Sequence, residues 1–256
     1  MKLVEKCYTL MTETTDELFK LIAFKSDSTS AFMQKKNTYK ENKEELEREF
    51  LDIEENGRLD ALYKIRKQVK LGSDMVTDVI HFETTLKNSI LIYACSIFDF
   101  YLSKLTEFLY QHNPRTLATS KKSIAYDKIL TEPFNMMISN IIEREVHEIS
   151  YKRIDERVKY LSDKFELDIE FVDAQPSRFL AGEINGTLLT TAFAYRNLIL
   201  HNRGKVNNIF LNTVKNSKYT LGDIIKIEDD LLFLLIMMLV RSSTNIYKQV
   251  EVRYWE

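Results

Sequence analysis

Glycine and proline are scarce in this chain: six and three among 256 residues, about a third of their usual share. Folds built on tight turns or phosphate loops, such as β-sandwiches, barrels and dinucleotide-binding sheets, use both residues freely, so their absence points to a mostly helical protein. No two glycines lie closer than four positions apart, which removes every Gly-rich phosphate loop. Cysteine is also rare. Cys7 and Cys95 alone cannot make a disulfide framework or a four-thiolate zinc site, and such usage suits a reducing cytoplasm. Long apolar runs are missing too. The longest, Leu231 to Val240, is ten residues, where a bilayer span needs about 20; it reads as a core helix, and no membrane partner is expected. Glu5 and Lys6 stand where a signal peptide needs apolar residues. Neither sign of charge dominates. A formal net charge of −2 gives no global attraction to nucleic acid, so any such binding must come from a local or a doubled basic patch.

What is present is helical periodicity. Leu3, Cys7, Leu10, Thr14, Leu18 and Leu21 recur at steps of three and four, predicting an amphipathic helix over 2–24. The polar cluster Ser26 to Ser30 reads as a loop. The mixed charges of 35–56 read as a solvated helical face, ending near Gly57. Leu71-Gly72-Ser73 marks the expected boundary between a helical N-terminal extension, 1–72, and a helical domain, 73–256. A long helix capped by Ser73 or Asp74 should carry the stripe Val79, Phe82, Leu86, Ile90, Tyr93, Ile97, Tyr101, Leu105 and Phe108, and stop at Asn113-Pro114. Shorter helices are expected near 123–130, 134–147 and 151–165, with a turn at Pro176. Another should cover 183–203, with Ile184, Leu188, Ala192 and Tyr195 inward and Gly204 as its left-handed cap. A short hairpin near 209–227 is the most β structure this pattern allows, and Glu228-Asp229-Asp230 suits the start of a last helix reaching about Val250.

Familiar catalytic signatures are missing. There is no H-E-x-x-H and no G-x-S-x-G, and His81, His112 and His147 are scattered. His147 beside Glu145 and Glu148 reads as a partly exposed helical histidine near acids rather than a metal ligand. One constellation carries chemistry: Tyr195-Arg196-Asn197-Leu198-Ile199-Leu200-His201-Asn202-Arg203-Gly204. Asn197 and His201 are four apart and share a helix face, with Arg196 flanking it. Gly204 places His201 in a final helical turn, where unpaired carbonyls favour an imidazolium. A histidine there can move protons both ways, and an adjacent arginine can hold a phosphate. Asp99 interrupts an apolar context between Phe98 and Phe100. Its carboxylate either orients Arg196 or His201 or lies on the helix's polar stripe.

The order Arg196, Asn197, His201 on a penultimate helix, behind a long helix bearing Ala94 to Leu102, resembles the HEPN (higher eukaryotes and prokaryotes nucleotide-binding) superfamily. The trailing Asn202, Gly204, Val206 and Asn207 are similar to the form found in prokaryotic defence and toxin–antitoxin branches. The resemblance covers about residues 75–250 and leaves the first 70 residues unassigned. It implies a helical bundle and a homodimer whose two motifs face one cleft. It further implies a metal-independent endoribonuclease without cofactor, in which Arg196, Asn197 and His201 are catalytic. Asp99, Asn202 and Tyr195 would support them. Arg203 and Lys205 would bind RNA, within a basic set that also includes Lys215 and Lys218. The implied partners are RNA, a second copy, and an antitoxin or partner defence protein. The alternative expectation is a catalytically inactive helical interaction module that binds or regulates a partner nuclease or nucleotidyltransferase.

Overall fold

The computed structural model describes residues 2–55, 59–119, 133–169, 186–214 and 217–255. The protein is all-α, and among the described residues there are seven α-helices and no sheet. They are α1 (Leu3–Glu55), α2 (Leu59–His112), α3 (Phe134–Ser150), α4 (Ile154–Phe165), α5 (Gly186–Asn202), α6 (Asn208–Thr213) and α7 (Asp229–Tyr254), with a 3-10 turn over Pro114–Thr119. The helix expected at 123–130 and the turn at Pro176 lie outside the described residues.

Several expected boundaries are displaced. The Ser26–Ser30 cluster is not a loop but part of α1. The hydroxyls turn back onto the helix, as when Ser30 Oγ donates to the Ser26 carbonyl at 3.0 Å and Thr38 Oγ1 to that of Gln34 at 3.1 Å. These bonds satisfy the side chains without breaking the backbone ladder. Gly72-Ser73 is likewise no break, because α2 begins at Leu59 and runs through it. One helical glycine costs only about 1 kcal/mol, little against a helix of 54 residues. Near 209–227, where at most a short hairpin was expected, the described residues form α6 and an antiparallel bridge, Lys205 with Ile224.

The chain forms two compact units, drawn differently from the expected 1–72 and 73–256: one is Leu21–Ile90, the other Met1–Lys20 with Leu91–Glu256. The second holds the candidate site. Its core gathers Leu3, Cys7, Leu10 and Leu18 of α1, Leu91, Ala94, Phe98, Leu102 and Leu105 of α2, Leu189 and Ala192 of α5, and Leu235, Ile236 and Leu239 of α7. The buried face of α2 is broader than the expected stripe. Of that stripe Ile90, Ile97, Tyr101 and Leu105 are buried and Phe82 and Tyr93 are about half exposed, while Leu91, Ala94, Cys95, Phe98 and Leu102 are sealed beside them. Apolar residues ring this stretch almost completely, so periodicity alone cannot fix its inward face.

Specific bonds tie these helices together. Tyr101 donates its hydroxyl to the Ser243 carbonyl of α7 at 2.9 Å. The Cys95 thiol donates to the Ala192 carbonyl of α5 at 3.8 Å. Burial pushes both the Cys95 and Cys7 thiols up, Cys7 to about 12, so both stay protonated packing groups. The Phe165 ring of α4 meets Tyr110 of α2 edge-on at 5.0 Å between centroids. The Tyr254 hydroxyl of α7 donates to the Phe165 carbonyl at 3.4 Å. Two stretches, Phe82–His112 and Asp229–Tyr254, are long and apolar enough by composition to cross a membrane. The uninterrupted Leu231–Val240 run understates the second. More than half of each apolar window is nonetheless buried inside the protein, as core helices are.

Candidate active site

Thr190, Phe193, Ala194, Asn197, Leu198 and His201 of α5 line one cavity, with Arg196 flanking them. Their spacing of three and four is that of one helix face. α5 packs against α4, α6 and α7, and Leu189, Ala192, Tyr195 and Leu198 fix its rotation by burial. Tyr195 itself points into the core. Its ring meets Phe210 of α6 edge-on at 5.0 Å, and burial pushes its hydroxyl up to about 12. It anchors the helix and does not line the cavity.

The helix ends at Asn202, one residue past His201. Left-handed backbone begins at Arg203, φ 52°, and continues at Gly204, φ 76°, one residue earlier than the sequence suggested. Gly204 donates to the Leu198 carbonyl at 3.0 Å, and a Cβ added there would sit 3.3 Å from Ile225 Cγ1. The chain then straps down: Val206 donates to the Asp223 carbonyl at 2.8 Å and Ile225 to that of Gly204 at 2.9 Å. Asn202 locks this turn, its side-chain amide donating to the Lys205 carbonyl. Asn207 accepts from the Phe210 N–H at 2.9 Å and so caps α6. These bonds leave His201 exposed in the last turn of α5, at the wall of the cavity.

The cavity measures about 610 Å³, within the range of small-ligand sites. Arg196, Asn197, His201 and Asp99 all line it. Arg196 donates to Asn197 Oδ1 at 2.9 Å, and its other terminal nitrogen lies 3.9 Å from Asp99 Oδ2. Asp99 therefore turns its carboxylate toward Arg196 and lines the same cavity. Arg157 of α4, which sequence reasoning missed, pairs with Asp99 Oδ1. It also donates to the Asp99 carbonyl and to Ser103 Oγ, each at 3.2 Å. Burial pushes the Asp99 carboxyl up from its usual value, while Arg157 and Arg196 pull it back down. Arg157 was nonetheless visible in the pattern. With Ile154, Val158, Leu161 and Phe165 buried, position 157 falls on the inward face of α4, and an arginine there calls for a buried acid.

Charge around the cavity is unequal. Lys152, Arg153, Arg157 and Arg196 face two carboxylates, Asp99 and Asp155. Arg153 is engaged by Asp155, with both contacts at 3.2 Å. Arg203 and Lys205 are exposed but do not line the cavity. Lys218 lies 3.6 Å from Glu228, and Lys215 lies outside the described residues. Of the four cations that line the cavity, Lys152 and Arg153 come from the α3–α4 junction, Arg157 from α4 and Arg196 from α5. No group of three His, Cys, Asp or Glu side chains is placed to hold a metal ion among the described residues. His147 instead meets Tyr151, its Nε2 lying 3.2 Å from the hydroxyl.

Comparison of the chain with family models, curated proteins and solved structures finds no match.

Proposed function

We propose that this protein is a metal-independent endoribonuclease of the HEPN type. The observation that carries the reading is the convergence of Arg196, Asn197 and His201 with Asp99 on one cavity that holds more cations than carboxylates. A guanidinium and a solvent-accessible imidazole on one cavity suit phosphodiester transesterification, which needs proton transfer and stabilisation of the developing charge. His201 takes the proton from the ribose 2′-hydroxyl, or returns one to the leaving 5′-oxygen. Arg196 stabilises the charge that builds on the pentacovalent phosphorane. Asn197, bonded to Arg196, orients that guanidinium or a phosphate oxygen. Asp99 limits where Arg196 can swing. The products are then a 2′,3′-cyclic phosphate and a 5′-hydroxyl.

One motif offers a single histidine, whereas the reaction needs both an acid and a base. The reading therefore includes a homodimer that presents two motifs to one RNA. Large apolar side chains stand exposed beside the site residues: Phe100, 58% exposed, follows Asp99, and Leu200, 46% exposed, precedes His201. Tyr93, seven positions before Phe100 and 55% exposed, continues that face of α2. Sedimentation at micromolar concentration should give the mass of two chains. A monomer that cleaves RNA at full rate would contradict the dimer.

A cytoplasmic toxin or defence effector held by a partner protein is the biological setting this chemistry suits. Induced expression in a bacterial host should then arrest growth, and the His201→Ala protein, made in equal amount, should not. Equal arrest by both proteins favours the interaction-module alternative, for which His201 has no chemical role.

A further inference from the structure

Asp99 is shared between two guanidiniums that hold it very differently. Arg157 reaches it from α4 with a side chain only 5% exposed, and its three acceptors, Asp99 Oδ1, the Asp99 carbonyl and Ser103 Oγ, lie on one turn of α2. Ser103 Oγ also donates to that same carbonyl at 2.9 Å, which fixes the turn. Arg196 approaches the other carboxylate oxygen from α5, but at 3.9 Å it stays beyond hydrogen-bonding distance. Its side chain remains 27% exposed, and it lines the cavity.

A half-buried carboxylate needs a charged partner, and a planar guanidinium makes its strongest contact as a closed two-pronged pair. Were Arg157 absent, Arg196 would be, among the described residues, the cation already within 4 Å of Asp99 and able to make that pair. Its donors would then turn to Asp99 and away from the cavity. Two like charges on one acid also repel, and this further favours the looser position of Arg196. We infer that Arg157 is a positioning residue: by satisfying Asp99 it keeps Arg196 out of a closed ion pair and leaves the Arg196 fork available to a phosphate in the cavity. The role of the phosphate rests on the ribonuclease reading; the competition for Asp99 does not.

A double-mutant cycle on the full chain tests this, because residues that share one partner should show non-additive effects. Arg157→Lys keeps the charge but loses the fork, so it satisfies Asp99 incompletely. It should slow RNA cleavage roughly tenfold with Asp99 present and less than about twofold in the Asp99→Asn background. Equal losses in both backgrounds, or no loss with Asp99 present, overturn the proposal. A second readout does not depend on activity. The Arg196 Nε–Hε cross-peak, assigned by its disappearance in Arg196→Lys, should shift and exchange its hydrogen more slowly in Arg157→Lys. It should not respond in that way when Asp99→Asn is also present. A cross-peak indifferent to Arg157→Lys overturns the proposal as well. If Arg157→Lys does not fold, Arg157→Met with Asp99→Asn removes both charges together. The Arg196 cross-peak of that protein should still respond to added inorganic phosphate as the wild type does, and loss of the response counts against the idea. A wild-type protein that cleaves no RNA would count against the ribonuclease reading, while the cross-peak still decides the positioning role.

Discussion

His201→Ala lowers the rate of RNA cleavage by about 10²–10⁴-fold, the usual worth of a positioned general acid or base, and leaves the melting temperature close to that of the wild type. The two halves of this expectation have separate causes. His201 is exposed in the last turn of α5 and lines the cavity, so its removal deletes a proton carrier without opening a hole in the core. The turn beyond it is held by backbone bonds of Gly204, Val206 and Ile225 that involve no imidazole. Arg196→Ala should cost about 10²–10³-fold, as loss of one donor to a developing oxyanion does, and its effect should not add to that of His201→Ala, since both serve one transition state. Single-turnover assays on the purified variants, with thermal melts alongside, check both statements.

Phe98→Ala has the largest effect on stability. It should lower the unfolding free energy by about 3–5 kcal/mol, the range for truncating a buried aromatic ring, from a total that for domains of this kind is about 5–15 kcal/mol. Phe98 is fully buried, and its ring lies 6.0 Å from that of Tyr101 and 6.4 Å from that of Phe193. It therefore fills the seam between α2, which carries Asp99, and α5, which carries the motif. Urea denaturation checks the magnitude. Cleavage should fall as well, because Asp99 and Arg196 lose the packing that sets their separation. A loss below about 1 kcal/mol would show that this seam relaxes freely, unlike a close-packed core.

Much of the fold was legible because the relevant signals are local. Scarce glycine and proline give the helical class, and Asn113-Pro114 stops α2, which ends at His112. The buried set of Leu188, Ala192 and Tyr195 follows the expected face of α5, and the motif lies at that helix's end as Gly204 implied. The misread places are those where a local signal was outweighed. Ser26 to Ser30 resembles a loop by composition, yet serine can return its hydroxyl to the carbonyl four residues back, and here it does. Gly72 costs too little to interrupt so long a helix. The breadth of the buried face of α2 depends on which neighbours cover it, among them α5 and α7 through Cys95 to Ala192 and Tyr101 to Ser243 and α4 through Asp99 to Arg157. In the site, sequence order alone brings Arg196, Asn197 and His201 together. The part played by Arg157 is long-range, 58 positions from Asp99, and needs the packing of α4 on α2.

Metal independence is the most exposed part of this account. The motif supplies an imidazole, a guanidinium and an amide, and a guanidinium repels a cation. Asp99 is already paired with Arg157 and has the Arg196 charge 3.9 Å away, whereas a magnesium site needs free carboxylates together with substrate phosphate. The decisive measurement is cleavage of a single-stranded RNA by the purified protein in excess EDTA, with the product ends identified by mass spectrometry. This account predicts undiminished cleavage, a 2′,3′-cyclic phosphate on one fragment and a 5′-hydroxyl on the other, both lost in His201→Ala. Cleavage that stops with the chelator, leaves 5′-phosphate ends and survives His201→Ala would contradict it.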